Sequence, residues 1–500
     1  MALIAVMGLT SSLTLISCSD DNTVTTTDTR HWTTDGGLKA ADNLLFNDNQ
    51  IGNGDKEFVF TGKQTLKKGT YLLKGWVYVA DGAELTIEPG TIIKGDKQTM
   101  ATIIVERGGK LIAQGTKDAP IVFTSNAPKG QRRPGDWGGL ILCGKAPHNA
   151  GQAQIEGGPR TKHGGNDVHD NSGVLSYVRV EFAGYPFATD QEINGVTFGS
   201  VGDGTKVDHV QVSYSNDDSY EWFGGTVNCK HLIAFNGWDD DFDTDNGFSG
   251  HVQYGLSVRD PRIADKSQSN GFESDNDASG STATPTTSAV FSNMTFIGPK
   301  QIDSDFANTA DYITGGSLNP NNGSGLGKYQ AAMQIRRGSR LNCINSVALG
   351  WPIGLIIDSE KGDTREQAKA GNIRLQNVWF GNMGVTGSDA NKEYRDVLVN
   401  FVNKKPVADE TQQSYSTTFF LAQKGNRVAT LNEMLLTGKS LFAGLRADFL
   451  PAAGSPLLNA ASFEGIASNC FDKVSYIGAF STTAEWLQGW TNFDPENADY

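Results

Sequence analysis

Two neighbouring segments of this sequence repeat one another at an offset of 22 residues, and this repeat strongly restricts the possible folds. Residues 207–225 read VDHVQVSYSNDDSYEWFGG, and residues 229–247 read CKHLIAFNGWDDDFDTDNG. The offset pairs His209 with His231, Asp217 with Asp239, Asp218 with Asp240, Tyr220 with Phe242, Glu221 with Asp243 and Gly225 with Gly247. Self-similarity at a fixed period of about 20 to 50 residues indicates a stack of similar structural units.

Short segments of alternating apolar residues recur through the rest of the chain. Each starts with a polar or aromatic residue, followed by an apolar residue, any residue and a second apolar residue. These segments start at Tyr177, His209, His231, Asn293, Ser346 and Asn377. Alternation at a period of two predicts β-strands with one buried face. A second match, at an offset of 26, relates residues 79–87 to residues 105–113. We therefore expect coils of roughly 20–30 residues whose strands pair in parallel at a spacing of about 4.8 Å.

The composition agrees with an all-β chain rather than with layers of helices. The 500 residues include 59 glycines and 16 prolines, and 38% of them are hydrophobic, which suits many short strands joined by tight turns. One short helix is predicted at 430–436, with Thr430 as its N-cap. The net charge of -14 argues against a nucleic-acid partner, because the phosphates would be repelled.

Several segments resemble the strands and turns of a known solenoid family. They read IEPGTIIKG, GGKLIAQGT, DWGGLIL and, near the C-terminus, FLPAAGSPLLNAASF and YIGAFSTTAEWLQGWTNFDP. Over roughly residues 55–500 the chain is similar to the parallel β-helix family, the pectin-lyase-like solenoids. The resemblance implies an all-β, right-handed parallel β-helix, and the handedness rests on the family alone. This fold carries lyases, hydrolases, adhesins and passive stalks, so it leaves the activity open.

The first residues resemble a bacterial lipoprotein signal. Residues 1–17 form a short apolar segment that we interpret as a signal peptide, and it ends in Leu-Ile-Ser directly before Cys18. This order resembles the lipobox and implies that Cys18 is lipidated, although no Lys or Arg precedes the apolar run. An ordinary signal peptide followed by a chance cysteine is the alternative interpretation.

The residues after the signal are polar and rich in threonine. We interpret residues 18–54 as a tether and residues 55–500 as the β-helix domain. The run Cys18-Ser19-Asp20-Asp21 is similar to the export signal of surface lipoproteins of Bacteroidota. The resemblance implies an outer-membrane protein that contacts the membrane through its lipid anchor only and faces the cell exterior. We expect the protein to be a monomer.

Four further cysteines are far apart in the sequence: Cys143, Cys229, Cys343 and Cys470. None of them forms a Cys-x-x-Cys pair, so the sequence contains no zinc or redox motif of that kind. We expect buried free thiols rather than disulfides.

The repeated acids predict a candidate metal site. Stacked coils would place carboxylates about 5 Å apart, where two unscreened charges repel by around 1 kcal/mol in water and by more where water is excluded. A hard divalent ion would relieve this repulsion, and calcium suits irregular cages of oxygen ligands. The predicted metal ligands are Asp217, Asp218, Glu221, Asp239, Asp240, Asp243, Asp245, Glu273 and Asp275. A solvated acidic face, relieved by salt and by Arg259, is the alternative.

Histidines also recur in the repeat. His209, His231 and His251 are predicted to share one position of the coil, which would suit a metal site. The same position holds Tyr177, Asn293, Ser346 and Asn377 in other coils. We therefore favour a polar ladder at the start of a strand over a metal site.

Two enzymatic functions follow from the family resemblance. Calcium-dependent polysaccharide lyases of this fold use a Lys or Arg to abstract the proton alpha to a uronate carboxyl. Arg259 is the candidate for this base, with Arg262 and Lys266 behind it, although an arginine that merely pairs with the acids is the commoner arrangement. Polygalacturonases of this fold carry Gly-His-Gly and Arg-Ile-Lys elements, and neither is present in this chain. A hydrolase with paired aspartates is therefore disfavoured.

A binding function is the hypothesis that we favour. Tyr220, Trp222 and Trp238 lie near the acids in the sequence and are candidate sugar-binding residues, although such rings often pack against the next coil instead. No nucleotide-binding loop, serine-hydrolase elbow or zinc-protease motif is present. We expect the protein to bind an extracellular polymer, a carbohydrate, through a calcium-dependent acidic groove. An outer-membrane transporter is a second candidate partner, and a polysaccharide lyase is the alternative function.

Overall fold

The structure is a computed structural model, and it describes residues 41–155, 160–188, 191–466 and 469–500. The described chain forms a parallel β-helix solenoid built from two long sheets, which confirms the predicted all-β fold class. The proposed signal peptide, Cys18 and most of the tether lie outside the described residues. Among the residues that are described, we find no helix with the length and apolar character needed to cross a membrane.

Sheet 1 is the longer of the two sheets. Its strands pair in parallel, except that the first two pair in an antiparallel manner. They are Leu45–Asn47, Gln50–Ile51, Lys63–Leu66, Thr70–Leu73, Glu84–Ile87, Ile92–Gly95, Lys110–Gln114, Ile121–Ser125, Gly173–Glu181, Lys206–Ser213, Asn228–Phe235, His251–Val258, Val290–Ile297, Asn342–Leu349, Leu375–Gly381 and Arg427–Ala429.

Sheet 2 forms another side of each coil, and it is parallel throughout. Its strands are Phe58–Phe60, Trp76–Val79, Thr102–Val105, Gly139–Cys143, Val196–Gly199, Tyr220–Phe223, Phe242–Asp245, Phe272–Ser274, Ala331–Ile335, Ile353–Ile357 and Val385–Ser388. Short antiparallel hairpins pair Ala153–Gln154 with Lys162–His163, Pro186–Ala188 with Gln191–Glu192, Leu398–Val402 with Lys405–Asp409, and Leu436–Thr437 with Leu450–Pro451.

Helices are short and lie outside the two sheets. The α-helices are Pro299–Ile302, Thr364–Lys369, Tyr415–Ala422 and Leu431–Met434, and the 3-10 helices are Lys97–Thr99, Gly316–Leu318, Pro456–Asn459, Glu485–Leu487 and Pro495–Asn497. The predicted helix at 430–436 is confirmed at Leu431–Met434. Its N-cap is Thr430, whose side chain accepts a hydrogen bond from the Glu433 amide in a capping box.

The strand register confirms the sequence repeats. In sheet 1, Val207 pairs with Cys229, and in sheet 2, Glu221 pairs with Asp243, each at the offset of 22 residues. The offset of 26 residues also corresponds to one coil, because Leu85 pairs with Leu111. Gly225 and Gly247 share a position where φ is +90° and +91°, a left-handed conformation that glycine adopts without a Cβ penalty.

The interior of the solenoid is a continuous apolar core that both sheets supply. Sheet 1 contributes inward residues such as Val210 and Leu232, and sheet 2 contributes stacked rings. Tyr220 and Phe242 stack with their centroids 5.6 Å apart and an interplanar angle of 9°. Parallel stacking of equivalent side chains is therefore the main packing rule of this core.

A second apolar layer covers part of the outer face of sheet 1. It is formed by the strap, which we define as residues 442–466 and 469–500, and it packs on outward residues such as Ile233 and Leu256. Phe480, Leu487 and Trp490 are buried strap residues in this layer. The strap is why several strands of sheet 1 are buried on both faces.

Two further predictions concern the ends of the domain and the cysteines. The chain enters sheet 1 before residue 55, because Gln50–Ile51 pairs with Thr70–Leu73, so the predicted domain boundary moves earlier. Cys143, Cys229 and Cys343 are buried free thiols, as predicted. Cys470 is partly exposed.

Candidate functional site

A cavity of about 270 Å³ lies where the acidic coils stack, and we call it the acidic groove. Seven of the nine predicted metal ligands line it: Asp217, Asp218, Glu221, Asp239, Asp240, Asp243 and Glu273. The remaining lining residues are Asp265, Lys266, Ser267, Gln268, Ser324 and Arg336. The structure thus brings together the acids that the repeat predicted.

The acids reach the groove from two kinds of position. Glu221, Asp243 and Glu273 lie in register on adjacent strands of sheet 2 and face outward, because their neighbours Tyr220 and Phe242 face the core. The Asp-Asp pairs lie in the turns that lead from sheet 1 to sheet 2. Stacking of successive coils therefore produces both rows.

Backbone and side-chain donors satisfy only part of this acidic surface. Asp218 Oδ1 accepts a hydrogen bond of 2.8 Å from the Asp240 amide, and Glu221 Oε2 accepts one of 2.5 Å from Asn194 Nδ2. Asp239 Oδ1 and Asp243 Oδ1 are buried atoms without a hydrogen-bond partner among the described residues. Each such carboxylate oxygen has lost its water without gaining a donor, which is costly unless a proton or cation is present.

The electrostatics of the groove oppose ionisation. Burial raises the pKa of Asp218, Asp239 and Asp243 well above the usual range for aspartate, and neighbouring carboxylates raise it further. Burial likewise raises the pKa of Asp240 to about 7 and that of Glu273 to about 8. At neutral pH the groove therefore favours bound protons or a bound cation over a full set of bare carboxylates.

The donor set fits a divalent cation. Two trios of acids, Asp217–Asp218–Asp239 and Asp218–Glu221–Asp243, each offer three carboxylate oxygens within 4.8 Å of one another. Calcium takes six to eight oxygen ligands at about 2.3–2.6 Å, so oxygens at this mutual spacing can surround one ion. Each trio also contains one of the two unpartnered oxygens, on Asp239 or on Asp243.

Two predicted ligands lie outside the groove. Asp275 accepts hydrogen bonds of 2.9 Å from Arg336 Nε and 2.5 Å from Arg337 Nη1, so it forms ion pairs instead of extending the groove. Asp245 does not line the cavity, although burial and the nearby Asp275 raise its pKa to about 7. Arg336 also contacts Glu273 and so closes one end of the acidic row.

Arg259 is not available as a catalytic base, so that prediction is wrong. It is fully buried, and its Nη1 donates hydrogen bonds of 2.7 Å to Asp241 Oδ1 and to the Asp239 carbonyl. Burial opposes its charge, but Asp241 and Tyr329 outweigh this effect and raise the pKa of Arg259. Val258 pairs with Phe235, so Arg259 lies level with Asn236 of the preceding coil and not with Asp239. Its function is structural.

The three predicted sugar-binding aromatic residues are also misassigned. Tyr220, Trp222 and Trp238 have no exposed surface. Tyr220 and Trp222 flank the outward Glu221, so strand alternation turns both rings into the core, a signal that the sequence did contain. Trp238 packs beneath the groove wall with Ile263 and Leu318.

The predicted histidine row needs a correction in register. His251 lies level with Asn228, because the next residues, Val252 and Cys229, pair. One extra residue in this coil places Tyr254 level with His231 instead. The row therefore consists of Tyr177, His209, His231, Tyr254, Asn293, Asn345 and Asn377, and every member has a positive φ between 49° and 63°. Ser346 follows this position rather than occupying it.

The first four members of the row form a ring stack. The ring centroids of His209 and His231 are 4.2 Å apart, at an angle of 25°. Their Nδ1 atoms lie 2.9 and 2.7 Å from Asp208 Oδ1. Asp208, His209 and His231 offer three ligand atoms within 4.8 Å of one another, so their geometry also allows a shared ion. Only the His231 contact has hydrogen-bond geometry, and His209 Nδ1 is a buried atom without a hydrogen-bond partner among the described residues. The polar ladder that the sequence favoured stays a prediction.

Residues from the excursion after Val258 cover one side of the acidic groove. Asp265, Lys266, Ser267 and Gln268 all line the cavity. Ser267 Oγ lies 2.5 Å from Asp239 Oδ2 and 2.7 Å from Asp265 Oδ1. Sequence analysis named Lys266 but missed Asp265, Ser267, Gln268 and Arg336, because they lie in or after insertions that break the repeat.

Comparison with known proteins identifies one family. Residues 59–419 match the family described as a pectate-lyase-like β-helix domain. No curated protein and no solved structure matches the chain.

Proposed function

The chain belongs to the pectate-lyase-like β-helix family, and from this premise we propose that it binds an extracellular carbohydrate polymer through a cation-dependent acidic groove. A pectate-lyase-like β-helix domain fits carbohydrate binding or lyase activity. Beyond this family-level function, we propose the binding site, the cation and the extracellular location. Its main support is the acidic groove itself, in which acids from successive coils face a single cavity.

Calcium is the cation that we propose. Asp217, Asp218 and Asp239 would hold it on one side of the groove, and Glu221 and Asp243 would complete the ligand set on the other. When bound, the ion would supply positive charge that attracts the carboxylate or hydroxyl oxygens of a sugar. The chain's own contribution is to hold the carboxylates in register and partly shielded from water.

The cation is tested first by calorimetric titration of chelator-stripped protein with calcium. We expect saturable binding by the parent and loss of at least tenfold in affinity for Asp239→Asn/Asp243→Asn. The matched control is Asp118→Asn/Asp409→Asn, which removes two charges outside the groove and should bind as the parent does. Absence of binding by the parent would contradict the proposal.

The ligand is tested next with a panel of neutral and uronate-containing polysaccharides, with calcium and with chelator. We expect a uronate polymer to bind in calcium and to be released by chelator. Equal binding of that polymer by the parent and by Asp239→Asn/Asp243→Asn would place the carbohydrate site elsewhere.

A polysaccharide lyase is the second candidate, and the position of Lys266 favours it. Two basic residues line the groove: Arg336 pairs with Glu273 and Asp275, and Lys266 lies exposed at the rim. An amine in this position can accept the proton alpha to a uronate carboxyl in place of Arg259. Ultraviolet-absorbing unsaturated products that disappear in Lys266→Ala would establish the lyase and exclude binding as the sole function.

Lipidation of Cys18 and an outer-membrane location remain part of the proposal. A lipid anchor would hold the groove at the cell surface, where extracellular polymers or an outer-membrane transporter are within reach. Metabolic labelling with a fatty acid should mark the parent but not Cys18→Ser. Protease treatment of intact cells should then degrade the protein if it faces the exterior.

A further inference from the structure

The turn that carries Asp239 into the acidic groove is held by a side chain that lies outside the groove. The turn spans residues 236–241 and joins Asn228–Phe235 of sheet 1 to Phe242–Asp245 of sheet 2. Asp239 lines the cavity, and its buried Oδ1 has no hydrogen-bond partner among the described residues, whereas its Oδ2 contacts Ser267 Oγ. The direction of the unpartnered oxygen therefore depends on the backbone of the turn as well as on Ser267.

Arg259 is the residue that holds this turn. It follows the strand His251–Val258 of the next coil, and its side chain is fully buried. Its Nη1 donates hydrogen bonds of 2.7 Å to the Asp239 carbonyl and to Asp241 Oδ1, and its Nη2 donates one of 3.3 Å to the Trp238 carbonyl. One planar guanidinium group thus binds three residues of the turn in a fixed geometry.

The guanidinium group is itself fixed by its surroundings. Its carbon lies 5.2 Å from the centre of the Tyr329 ring, and its Nε lies 3.5 Å from the Tyr329 hydroxyl. Ser257 Oγ donates a hydrogen bond of 2.5 Å to Asp241 Oδ2, so each oxygen of the carboxylate that pairs with the arginine has a donor. A buried polar network with its groups paired is rigid, and this rigidity extends to the turn.

The same turn also orients an acid of the preceding coil. The Asp240 amide donates a hydrogen bond of 2.8 Å to Asp218 Oδ1. Asp218 and Asp239 belong to one trio of acids, which Asp217 completes. A displacement of the turn would therefore move two of the three carboxylates of this trio, one directly and one through its hydrogen bond.

The equivalent turn of the preceding coil is held in another way. Asn236 lies level with Arg259, and its Nδ2 donates a hydrogen bond of 3.2 Å to the Tyr214 hydroxyl. The Asn216 carbonyl of that turn accepts a hydrogen bond of 2.8 Å from Ser324 Oγ. Of these two turns, the arginine holds the one that carries an unpartnered carboxylate oxygen.

We propose that Arg259 is a positioning residue of the acidic groove, which holds the 236–241 turn so that Asp218 and Asp239 face one cation. This inference rests on the proposed function, because it concerns the same cation. Arg259 itself does not line the cavity. Like charges drive the carboxylates apart, and a turn fixed to the next coil opposes this separation. Residues that orient metal ligands from behind change metal affinity by about 10- to 100-fold when they are replaced.

Two variants remove this hold without changing the net charge of the Arg259–Asp241 pair. Arg259→Lys keeps the positive charge but replaces the planar fork by a single amine, which cannot bind the three acceptors in the same geometry. Arg259→Met/Asp241→Asn removes both charges together, a kind of replacement that often leaves stability unchanged. Calorimetric titration should show that each variant binds calcium at least about tenfold more weakly than the parent.

The matched control is Arg365→Lys. Arg365 is mostly buried, lies 3.5 Å from Asp389 and donates a hydrogen bond of 2.6 Å to the Val399 carbonyl, but it lies outside the groove. Urea denaturation should show a loss of stability in both arginine-to-lysine variants. Calcium affinity should fall only in Arg259→Lys, and this difference separates positioning from a general contribution to stability.

Terbium in place of calcium supplies a second measurement. Its luminescence decay in ordinary and in heavy water counts the water molecules on the bound ion. If one carboxylate leaves the ion in Arg259→Lys, about one water should take its place, because water completes the oxygen shell of such ions. Arg365→Lys should give the parental count.

The outcomes separate this inference from the proposed function. If the parent binds no calcium, the proposed cation site fails and the positioning role fails with it. If the parent binds calcium but the two Arg259 variants bind it as tightly, or lose no more affinity than Arg365→Lys, only the positioning role fails. It also fails if affinity falls while the water count on terbium stays at the parental value. Weaker binding in both variants, together with an added water, supports it.

Discussion

The acidic groove and the ring stack are two ladders built from the same repeat, and they end in opposite states. Asp217 and Asp239 recur at one position of the coil, and His209 and His231 recur at another. In the groove, buried carboxylate oxygens lack donors. In the ring stack, the Nδ1 atoms of His209 and His231 both lie beside Asp208 Oδ1, and the strap covers the rings with Trp486 and Trp490. The repeat thus produces rows of equivalent side chains. The segment that covers a row decides whether the row forms a binding site or a structural contact.

The largest expected effect tests the cover of the ring stack. Trp490 is fully buried, and its ring lies edge-on to Tyr177 and His209 at 5.9 and 5.6 Å. Trp490→Ala should lower the free energy of unfolding by about 3–5 kcal/mol, because it leaves a large cavity beneath the strap. Urea denaturation measures this loss.

The comparison also requires that this variant leave the groove intact. Calcium titration of folded Trp490→Ala should therefore give the parental affinity. Leu421→Ala is the control for stability, because Leu421 is 53% exposed and should change the free energy of unfolding by less than about 0.5 kcal/mol. An unchanged free energy of unfolding in Trp490→Ala would contradict the structural interpretation of this region.

The next effect concerns pH, and its sign is opposite in the two ladders. In the groove, folding raises the pKa of Asp240 to about 7 and that of Glu273 to about 8, so the native state holds more protons than the unfolded state between about pH 4 and pH 8. The groove therefore loses stability as pH rises through this window. We expect a fall of about 1–3 kcal/mol in the calcium-free protein, and calcium should remove most of it.

At the ring stack the sign is reversed. Burial alone would raise the pKa of Asp208, but hydrogen bonds from His209 and His231 outweigh it and hold that pKa below its usual range. Burial also lowers the pKa of His231. Both groups contribute stability at neutral pH that is lost on acidification, for His231 below about pH 6.5 and for Asp208 below about pH 4.

Urea denaturation from pH 4 to pH 9 separates these contributions. Asp240→Asn should reduce the loss of stability above pH 6, whereas Asp208→Asn should reduce the loss in acid. A calcium-free parent whose stability rises from pH 5 to pH 8 would contradict the electrostatic account of the groove.

A smaller effect is expected from the histidines themselves. His231→Asn keeps a polar residue of a type that the same row uses at Asn293 and Asn377. It should cost about 1–2 kcal/mol, because one hydrogen bond to Asp208 and the ring contacts with His209, Tyr254 and Trp486 are lost. Calcium affinity should not change, and a loss of affinity would mean that the ring stack takes part in cation binding.

The smallest effect is expected at the rim of the groove. Lys266→Gln removes a positive charge from an exposed position beside the acids. The free energy of unfolding should change by less than about 0.5 kcal/mol, and calcium should bind at most about threefold more tightly. The measurement is calorimetric titration at low and at high salt, and the difference should shrink at high salt. A large loss of affinity would instead assign Lys266 a structural contact at the cation.

The successes and failures of sequence analysis have physical causes. Glu221, Asp243 and Glu273 were predicted to form a row because parallel stacking brings equivalent positions together. The same rule failed at His251, where one extra residue shifts the register. Trp222 was misassigned because its proximity to acids in sequence was weighed above strand alternation, which directs it to the core.

Other features had no local signal at all. Arg336 reaches Asp275 across 61 residues of sequence, and Gln211 receives the amide of Asn492 across 281. The first separation is one coil lengthened by an insertion, because Ser274 pairs with Ile335, and the second leads to the strap, so the 22-residue repeat points to neither contact.

The sequence by itself determined the coil, the solenoid of parallel strands and the row of acids, because a one-dimensional repeat and strand alternation are enough to specify stacked strands and their outward faces. Only the tertiary structure decided which ladder stays open and which is closed. That choice depends on the segments that cover each ladder. The strap is the distant C-terminal segment, and the residues beside the groove belong to the insertion after Val258. Their contacts are set by packing and by desolvation of charge in three dimensions, and neither is encoded in the period.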